Sequence, residues 1–408
     1  MHEARKSSLI KSAIFAMAAI ILALSLVLFP KEALDASTRG LDMWWNVVFP
    51  SLLPFFIVSE LLIGFGVVAF LGVVLEPLMR PLFKVPGIGG FVWAMGLASG
   101  NPAGAKLAVQ MRKLGKITRI EGERLAGFTN SSNPLFIFGA IAVGFFHNPA
   151  LGMILALAHY VGNLFVGFLF RFYGKETETL PLIRGKKRLH ITDAFAALHQ
   201  ERIKDGRTIG KLLGDAVRSS IETLLLIGGF IILFSVLNQL LSLLGVITII
   251  AFFVSHLFGH IGLSPELAHA FISGLFEITI GAQIVSETTS ADFLSQIIVV
   301  SFILGFGGFS IQAQVASILA ESDIRFRPFL LARLVQGVAA AGLVVVFYHL
   351  LYKPLTDEVS GPDSRMLPTF AETVWHAFLD WSPYITFFFL SLFIVLKIPH
   401  VKKDDRLS

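Results

Sequence analysis

Apolar residues in this chain run in blocks of about twenty, the length of helix that crosses a hydrocarbon core, with short polar stretches between them. The pattern predicts eight crossing helices, at residues 12–29, 44–68, 125–146, 151–170, 221–241, 293–316, 329–351 and 383–396. The first block leads into Pro30, Lys31 and Glu32 rather than a small-residue cleavage site, so it is expected to remain as a helix. Two further apolar stretches, 89–107 and 263–285, are broken near their middles by Ser99-Gly100-Asn101-Pro102 and by Ser273-Gly274-Leu275-Phe276-Glu277. Each reads as a re-entrant hairpin, two short helices that enter and leave by one side with the exposed backbone of the tip buried in protein.

Spacing then exposes a repeat. Gly100 and Gly274 are 174 residues apart, as are Ser131 and Gly305, while Gly162 and Gly337 are 175 apart. Each half reads as helix, interfacial segment, hairpin, interrupted helix and final helix, and three crossings per half make the second half inverted relative to the first. The expected fold is therefore an all-α polytopic membrane protein with about eight transmembrane helices and two re-entrant helical hairpins in two inverted repeats. The expected segments are 1–42 (first helix and external loop), 43–173 (first repeat), 174–218 (basic linker), 219–352 (second repeat) and 353–408 (external loop, last helix and tail). Glycines that merely let helices pack closely are the alternative for any single position.

Composition strengthens the membrane reading. Hydrophobic residues make up 55% of the chain and charged ones only 15%, with a mean hydropathy of +0.75. Lysine and arginine are absent between Arg218 and Arg325, whereas the stretch from Arg171 to Arg218 holds eleven of them against six acidic residues. On the positive-inside rule this puts both termini, the 112–124 loop, the 174–218 linker and Arg325 with Arg327 in the cytoplasm, and the acidic 355–372 loop outside. The net charge of +5 then orients the protein in a lipid bilayer and does not argue for nucleic acid. Zero cysteines exclude disulfides and thiolate metal sites.

Polar chemistry concentrates at the breaks. Thr129-Asn130-Ser131-Ser132-Asn133-Pro134 interrupts one span and Gly305-Phe306-Gly307-Gly308-Phe309-Ser310 its counterpart. Glycine costs about 1 kcal/mol and proline about 3 kcal/mol in a helix interior, so these segments are expected to be unwound with backbone facing a site. Asn101, Asn130, Ser131, Asn133, Gly307, Gly308 and Ser310 are accordingly candidate substrate contacts, with interhelical hydrogen bonding the alternative for the serines. Glu277 at the second tip and Glu60 inside residues 44–68 are carboxylates at membrane depth, candidates for substrate binding (Glu277) and for proton or ion coupling (both). Lys106, one turn past the first tip, either pairs with an anionic substrate beside a helix N-terminus or snorkels to the cytoplasmic face. Arg333 is expected to snorkel, while Asn163, Gln283, Gln312, Gln314 and Gln336 are further lining candidates.

No His-Glu-x-x-His helix, Walker A loop or dinucleotide fingerprint is present, so no enzyme, cofactor or metal site is expected. His256 and His260 share a metal-compatible spacing but have no evident third ligand.

The order of hairpin, interrupted helix and final helix, with Gly-Leu-Phe-Glu at 274–277 and Gly-Phe-Gly-Gly-Phe-Ser at 305–310, resembles the nucleoside-recognition (Gate) domains, distant relatives of the concentrative nucleoside transporters. Within that family the chain is most similar to a sporulation branch. That resemblance implies a secondary transporter of the outer forespore membrane that moves dipicolinic acid from the mother cell toward the forespore. In the nucleoside transporters a glutamate of the second hairpin contacts the ribose, and Glu277 matches it. Their asparagine in the following interrupted helix is Gly308 here, and the polar group of their first hairpin is Gly100-Asn101-Pro102. These departures favour a small anionic metabolite such as dipicolinate. The alternatives are an ion-coupled nucleoside transporter and a membrane sensor or scaffold that does not transport; relatives of this architecture often form homo-oligomers.

Overall fold

The structure, a computed structural model, describes residues 2–174 and 191–353, and among these every regular element is a helix. The chain divides into two units, Met1–Tyr348 and His349–Ser408, the second described only over residues 349–353. The expected acidic loop at 355–372 and the crossing at 383–396 lie outside the described residues, as do residues 175–190 of the basic linker.

Helix α1 (His2–Leu28) gives way to α2 (Pro30–Met43) through a bend of 101°. Pro30 suits the first turn of α2, where its missing N–H is not needed. A π-helical turn (Trp44–Val48) leads into α3 (Phe49–Gly64), which turns by 84° into α4 (Val67–Phe83). The first hairpin follows as α5 (Ile88–Ser99) and α6 (Ala103–Lys113). Next come α7 (Arg119–Thr129), a π-helix (Leu135–Phe145) and α8 (Pro149–Phe170). Beyond the undescribed 175–190, α9 (Ile191–Asp205) and the 35-residue α10 (Ile209–Leu243) precede α11 (Val246–Ile261). The second hairpin is α12 (Ala268–Phe276) and α13 (Ile278–Glu287), then α14 (Phe293–Phe306), α15 (Gly308–Leu319) and α16 (Phe326–Phe347). The series interfacial helix, hairpin, broken helix and long helix thus occurs twice in the same order.

Among the described residues, four helices are long and apolar enough to cross a membrane, or six if each bent pair is one span. The expected crossing at 125–146 is not among them, because residues 130–133 break it into α7 and a short π-helix. Apolar side chains exposed on α11, such as Phe252, Phe253 and Leu257, face the lipid that this composition requires. This is an integral membrane protein.

Long α10 is the spine of one half of the molecule. The Ser235 hydroxyl donates to the Ala36 carbonyl at 2.7 Å, Arg39 to Gln239 at 3.0 Å, and the Trp44 indole N–H to the Leu224 carbonyl at 2.9 Å. These bonds fix α2, the π-turn and α3 against α10, and Leu52, Phe56, Leu224 and Ile227 fill the space between them.

Loops at one end of the bundle interlock. Arg112 at the foot of α6 grips Asp323 with two hydrogen bonds of 2.9 and 2.8 Å, and Lys113 reaches Glu321 at 2.6 Å. Arg325 donates to buried Glu123 of α7 at 2.6 and 3.0 Å, and the Tyr173 hydroxyl donates to the same carboxylate at 2.9 Å. The basic residues that sequence assigns to separate loops therefore tie the ends of α6, α7 and α15 together.

Two measurements probe this architecture. A Cβ on Gly281 would overlap the backbone of Gly274 across the second hairpin, so Gly281→Ala should lose about 1–3 kcal/mol to overpacking and lower the Tm of the detergent-solubilised protein, whereas Gly214→Ala, in open space, should not. Hydrogen bonds from Arg112 hold the Asp323 carboxyl below the usual carboxylate range. A carboxylate depressed in the folded state stabilises at pH values above its unfolded pKa of about 3.9, and that stabilisation is lost as pH falls through the lowered folded value. The Tm gap between wild type and Asp323→Asn should accordingly be constant from neutral pH down to about 5 and close below about 4.

Candidate functional site

Both hairpin tips are chain reversals held by short polar contacts. At the first, α5 ends at Gly100, whose φ of +86° only glycine adopts readily, and α6 starts after a cis Asn101–Pro102 bond. At the second, Glu277 alone separates α12 from α13. Its carboxylate caps α13, accepting from the Ile280 N–H at 2.9 Å and the Thr279 hydroxyl at 3.0 Å.

The first broken helix is wired from four directions. Asn130 accepts the Ala105 N–H at the start of α6 through Oδ1 at 3.0 Å and donates to the Ala126 carbonyl through Nδ2 at 2.8 Å. Arg333 of α16, 1% exposed, donates to the carbonyls of Gly127 and Asn130, the last turn of α7. From α8, His159 Nε2 accepts the Ser132 N–H and the Tyr160 hydroxyl donates to the Ser132 carbonyl, both at 3.0 Å. A backbone N–H can only donate, so His159 is neutral here with its proton on Nδ1. Asn133 closes the break, donating to the Ser99 carbonyl at 3.2 Å and accepting the Phe136 N–H at 2.8 Å.

The second broken helix uses backbone instead. Gly307 (φ +87°) ends α14 and Gly308 (φ +65°) opens α15, and no side chain caps the first turn of α15. Gln312 turns back to donate to the Phe306 carbonyl at 2.8 Å.

These four elements meet around a cavity of about 600 Å³. Ser99, Gly100 and Asn101 line it from the first tip, Glu277 and Thr279 from the second. Ser132 and Asn133 come from one broken helix, Ser310 and Gln314 from the other. Ile227 and Ile231 of α10, with Val48 and Leu52, form the opposite wall, which is mainly apolar. Glu277 is the charged residue of this lining, and no lysine or arginine contributes to it. Among the described residues, Ser99 Oγ and Asn101 Oδ1 find no hydrogen-bond partner.

Of the candidates from sequence, Asn101, Asn133, Glu277 and Ser310 sit on this cavity together with Gln314. Asn130 and Ser131 are fully buried behind the first break, where Asn130 is consumed in capping α6. Gly307 and Gly308 form the second break, with Gly308 packed on the second hairpin near the carbonyls of Gly274 and Phe276. Lys106 does not line the cavity. Its ammonium lies 3.7 Å from Glu60, 3.4 Å from Ser219 Oγ and over the Phe56 ring, so the cation expected to meet an anionic substrate is engaged elsewhere. Arg333 does not snorkel, because the carbonyls at the end of α7 give its charge a partner inside the bundle. Asn163 and Gln336 are buried, with Gln336 donating to the His159 carbonyl at 3.3 Å, and Gln283 reaches Glu287 at 2.9 Å. Both His256 and His260 turn Nδ1 to carbonyls one turn back, at 2.8 and 2.7 Å. Among the described residues no group of three or more His, Asp or Glu could hold a metal ion.

Ser99, Ser132 and Thr279 are lining residues that motif reading did not single out as contacts. Each neighbours a break residue, so proximity to a predicted tip was the available signal. His159, Tyr160 and Arg333 act from other helices, and no local pattern marks them.

The profile of the Gate family, described as nucleoside recognition, matches residues 45–164 and 224–322. The chain is 52% identical over 388 residues to the sporulation integral membrane protein YlbJ of Bacillus subtilis (strain 168), covering 92% of this chain and 93% of that protein. It is also similar, at 14% identity and a TM-score of 0.41, to a solved structure of a doubly substituted CNTnw in an outward-facing state, over 82% of this chain and 86% of that one. The profile spans both hairpins and both broken helices, and with this identity along nearly its whole length the chain belongs to the nucleoside-recognition (Gate) family of membrane proteins.

Proposed function

We propose that the chain is an alternating-access secondary transporter of a small planar metabolite, with dipicolinate the favoured substrate. The observation that carries this reading is the cavity at the meeting point of two hairpin tips and two broken helices, the arrangement in which transporters built from inverted repeats bind substrate near the midplane. The element series that occurs twice supports an inverted repeat. The relative's printed name, a sporulation integral membrane protein, supports work in sporulation; this reading takes a sporulation metabolite as cargo and the outer forespore membrane as its place, with both termini cytoplasmic on the positive-inside rule.

A dicarboxylate needs positive potential, and Lys106 does not supply it. The open first turn of α15 does. Its N–H groups have no side-chain cap, and a helix N-terminus carries the equivalent of about half a positive charge. Ser310 in that turn faces the cavity, and Asn101, Asn133 and Ser99 add neutral polar groups around it. A second reading, an ion-coupled nucleoside transporter, is favoured by Glu277, since a carboxylate on the lining suits a ligand that donates hydrogen bonds.

Uptake of labelled dipicolinate and labelled uridine into liposomes holding only the purified protein separates the two. Saturable dipicolinate flux without uridine flux is expected; uridine flux alone would replace the first reading with the second, and flux of neither would leave a sensor or scaffold. Glu277→Ala should reduce saturable uptake at least about tenfold, the effect of losing a charged hydrogen bond worth about 1.5–3 kcal/mol, with normal membrane insertion. Unchanged uptake would remove Glu277 from the site.

A further inference from the structure

Two bodies meet at the cavity. One is the frame of α2, the π-turn, α3 and α10, stitched by the Ser235, Arg39 and Trp44 bonds. The other is the set of hairpins and broken helices that supplies every polar group of the site apart from Asn46. Alternating access requires one body to move against the other.

A polar cluster outside the cavity lining ties them together. Glu60 of α3 accepts the Ser219 hydroxyl of α10 at 3.0 Å on one oxygen and the Gln110 amide of α6 at 3.1 Å on the other. Lys106, one turn before Gln110 on α6, lies 3.7 Å from Glu60 and donates to Ser219 Oγ at 3.4 Å. Frame and hairpin thus share one carboxylate, with side-chain exposures of 17% for Lys106 and 16% for Glu60. That is low enough to make a stranded charge costly and open enough for water to reach it. The other charged groups on elements packed against α3 have partners of their own: Arg218 with Glu222, Arg207 with Asp215 and Asp205, Arg80 with Glu76 and Glu121, and Glu201 with Lys116. Lys204, Lys211 and His199 are exposed. Glu321, at the end of α15, is paired with Lys113.

We propose that Glu60 is the proton-coupling carboxylate of this protein, charged and latched to Lys106 and Gln110 when the first hairpin is docked on the frame, and protonated when the hairpin is released. Water in one compartment gives up the proton to the carboxylate and water in the other takes it back, so charge and atoms balance over a cycle. A metal cation is the poorer coupling ion here, because the ammonium already stands beside the carboxylate and each carboxylate oxygen already accepts a neutral donor. This proposal rests on the transporter reading.

The test uses liposomes holding the full-length protein and whichever of dipicolinate or uridine it exchanges, with a pH gradient and, separately, a sodium gradient. Wild type should accumulate substrate in response to the pH gradient, up to about tenfold per pH unit for one proton, and not in response to sodium. Glu60→Gln should keep exchange at equal pH and lose gradient-driven accumulation. Wild-type exchange without any response to pH, accumulation driven by sodium alone, or an E60Q protein that still accumulates would each overturn the proposal while leaving the transporter reading intact. No exchange by wild type of either substrate would overturn both. If E60Q fails to insert, Gln110→Ala, which removes the amide donor on one Glu60 oxygen, should shift the pH dependence of accumulation, and an unchanged dependence would overturn the assignment to Glu60.

Discussion

Inside a membrane an unpaired peptide group has no water to turn to and costs several kcal/mol, and this constraint organises the structure around residues 130–133. Breaking a helix there frees N–H and carbonyl groups at both ends of the gap. Fixed partners answer several of them, Arg333 on the Asn130 carbonyl and His159 and Tyr160 on Ser132, while the side chains of Asn130 and Asn133 tie the gap to α6 and to the Ser99 carbonyl. Because these partners sit on α5, α6, α8 and α16, the break positions the first hairpin and both long helices in one step. The cavity exists where it does because this gap is held open there.

Three arrangements place ionisable groups in such surroundings. Arg333 lies against the negative end of α7 and needs no carboxylate. Glu277 caps the positive end of α13 and keeps one face on the cavity. Glu60 and Lys106 pair with each other between α3 and α6. The first is closed off inside the bundle, the second opens onto the cavity, and the third joins two separate helices.

Much of the fold could be read from the chain because apolar block length and helix-breaking residues act locally. The hairpins at α5–α6 and α12–α13 and the breaks at 130–133 and 307 follow from proline, glycine and clustered polar residues in apolar blocks. Composition could not say where a side chain turns. Lys106 is one turn from the first tip, yet Glu60 and Ser219, 46 and 113 residues away, draw it off the cavity. Arg333 looked like a snorkelling residue for the same reason, since its partners are carbonyls on a helix some 200 residues earlier. Charge counts likewise separated loops that Arg112–Asp323 and Arg325–Glu123 join. Contacts between distant segments, not local propensity, decide all three.

The two broken helices differ in what they are made of. The first depends on side chains that can each be deleted, whereas the second is shaped by Gly307 and Gly308 and presents an uncapped run of main-chain N–H groups. Main-chain donors are the same whatever the residue, so replacing side chains one at a time will map the first wall of the cavity in detail and, on the second, will report on Ser310 and Gln314 but not on the main chain. Residues that score as dispensable beside Ser310 can therefore still shape this wall through their main chain, and only a change of backbone, such as an ester in place of an amide, would make that contribution visible.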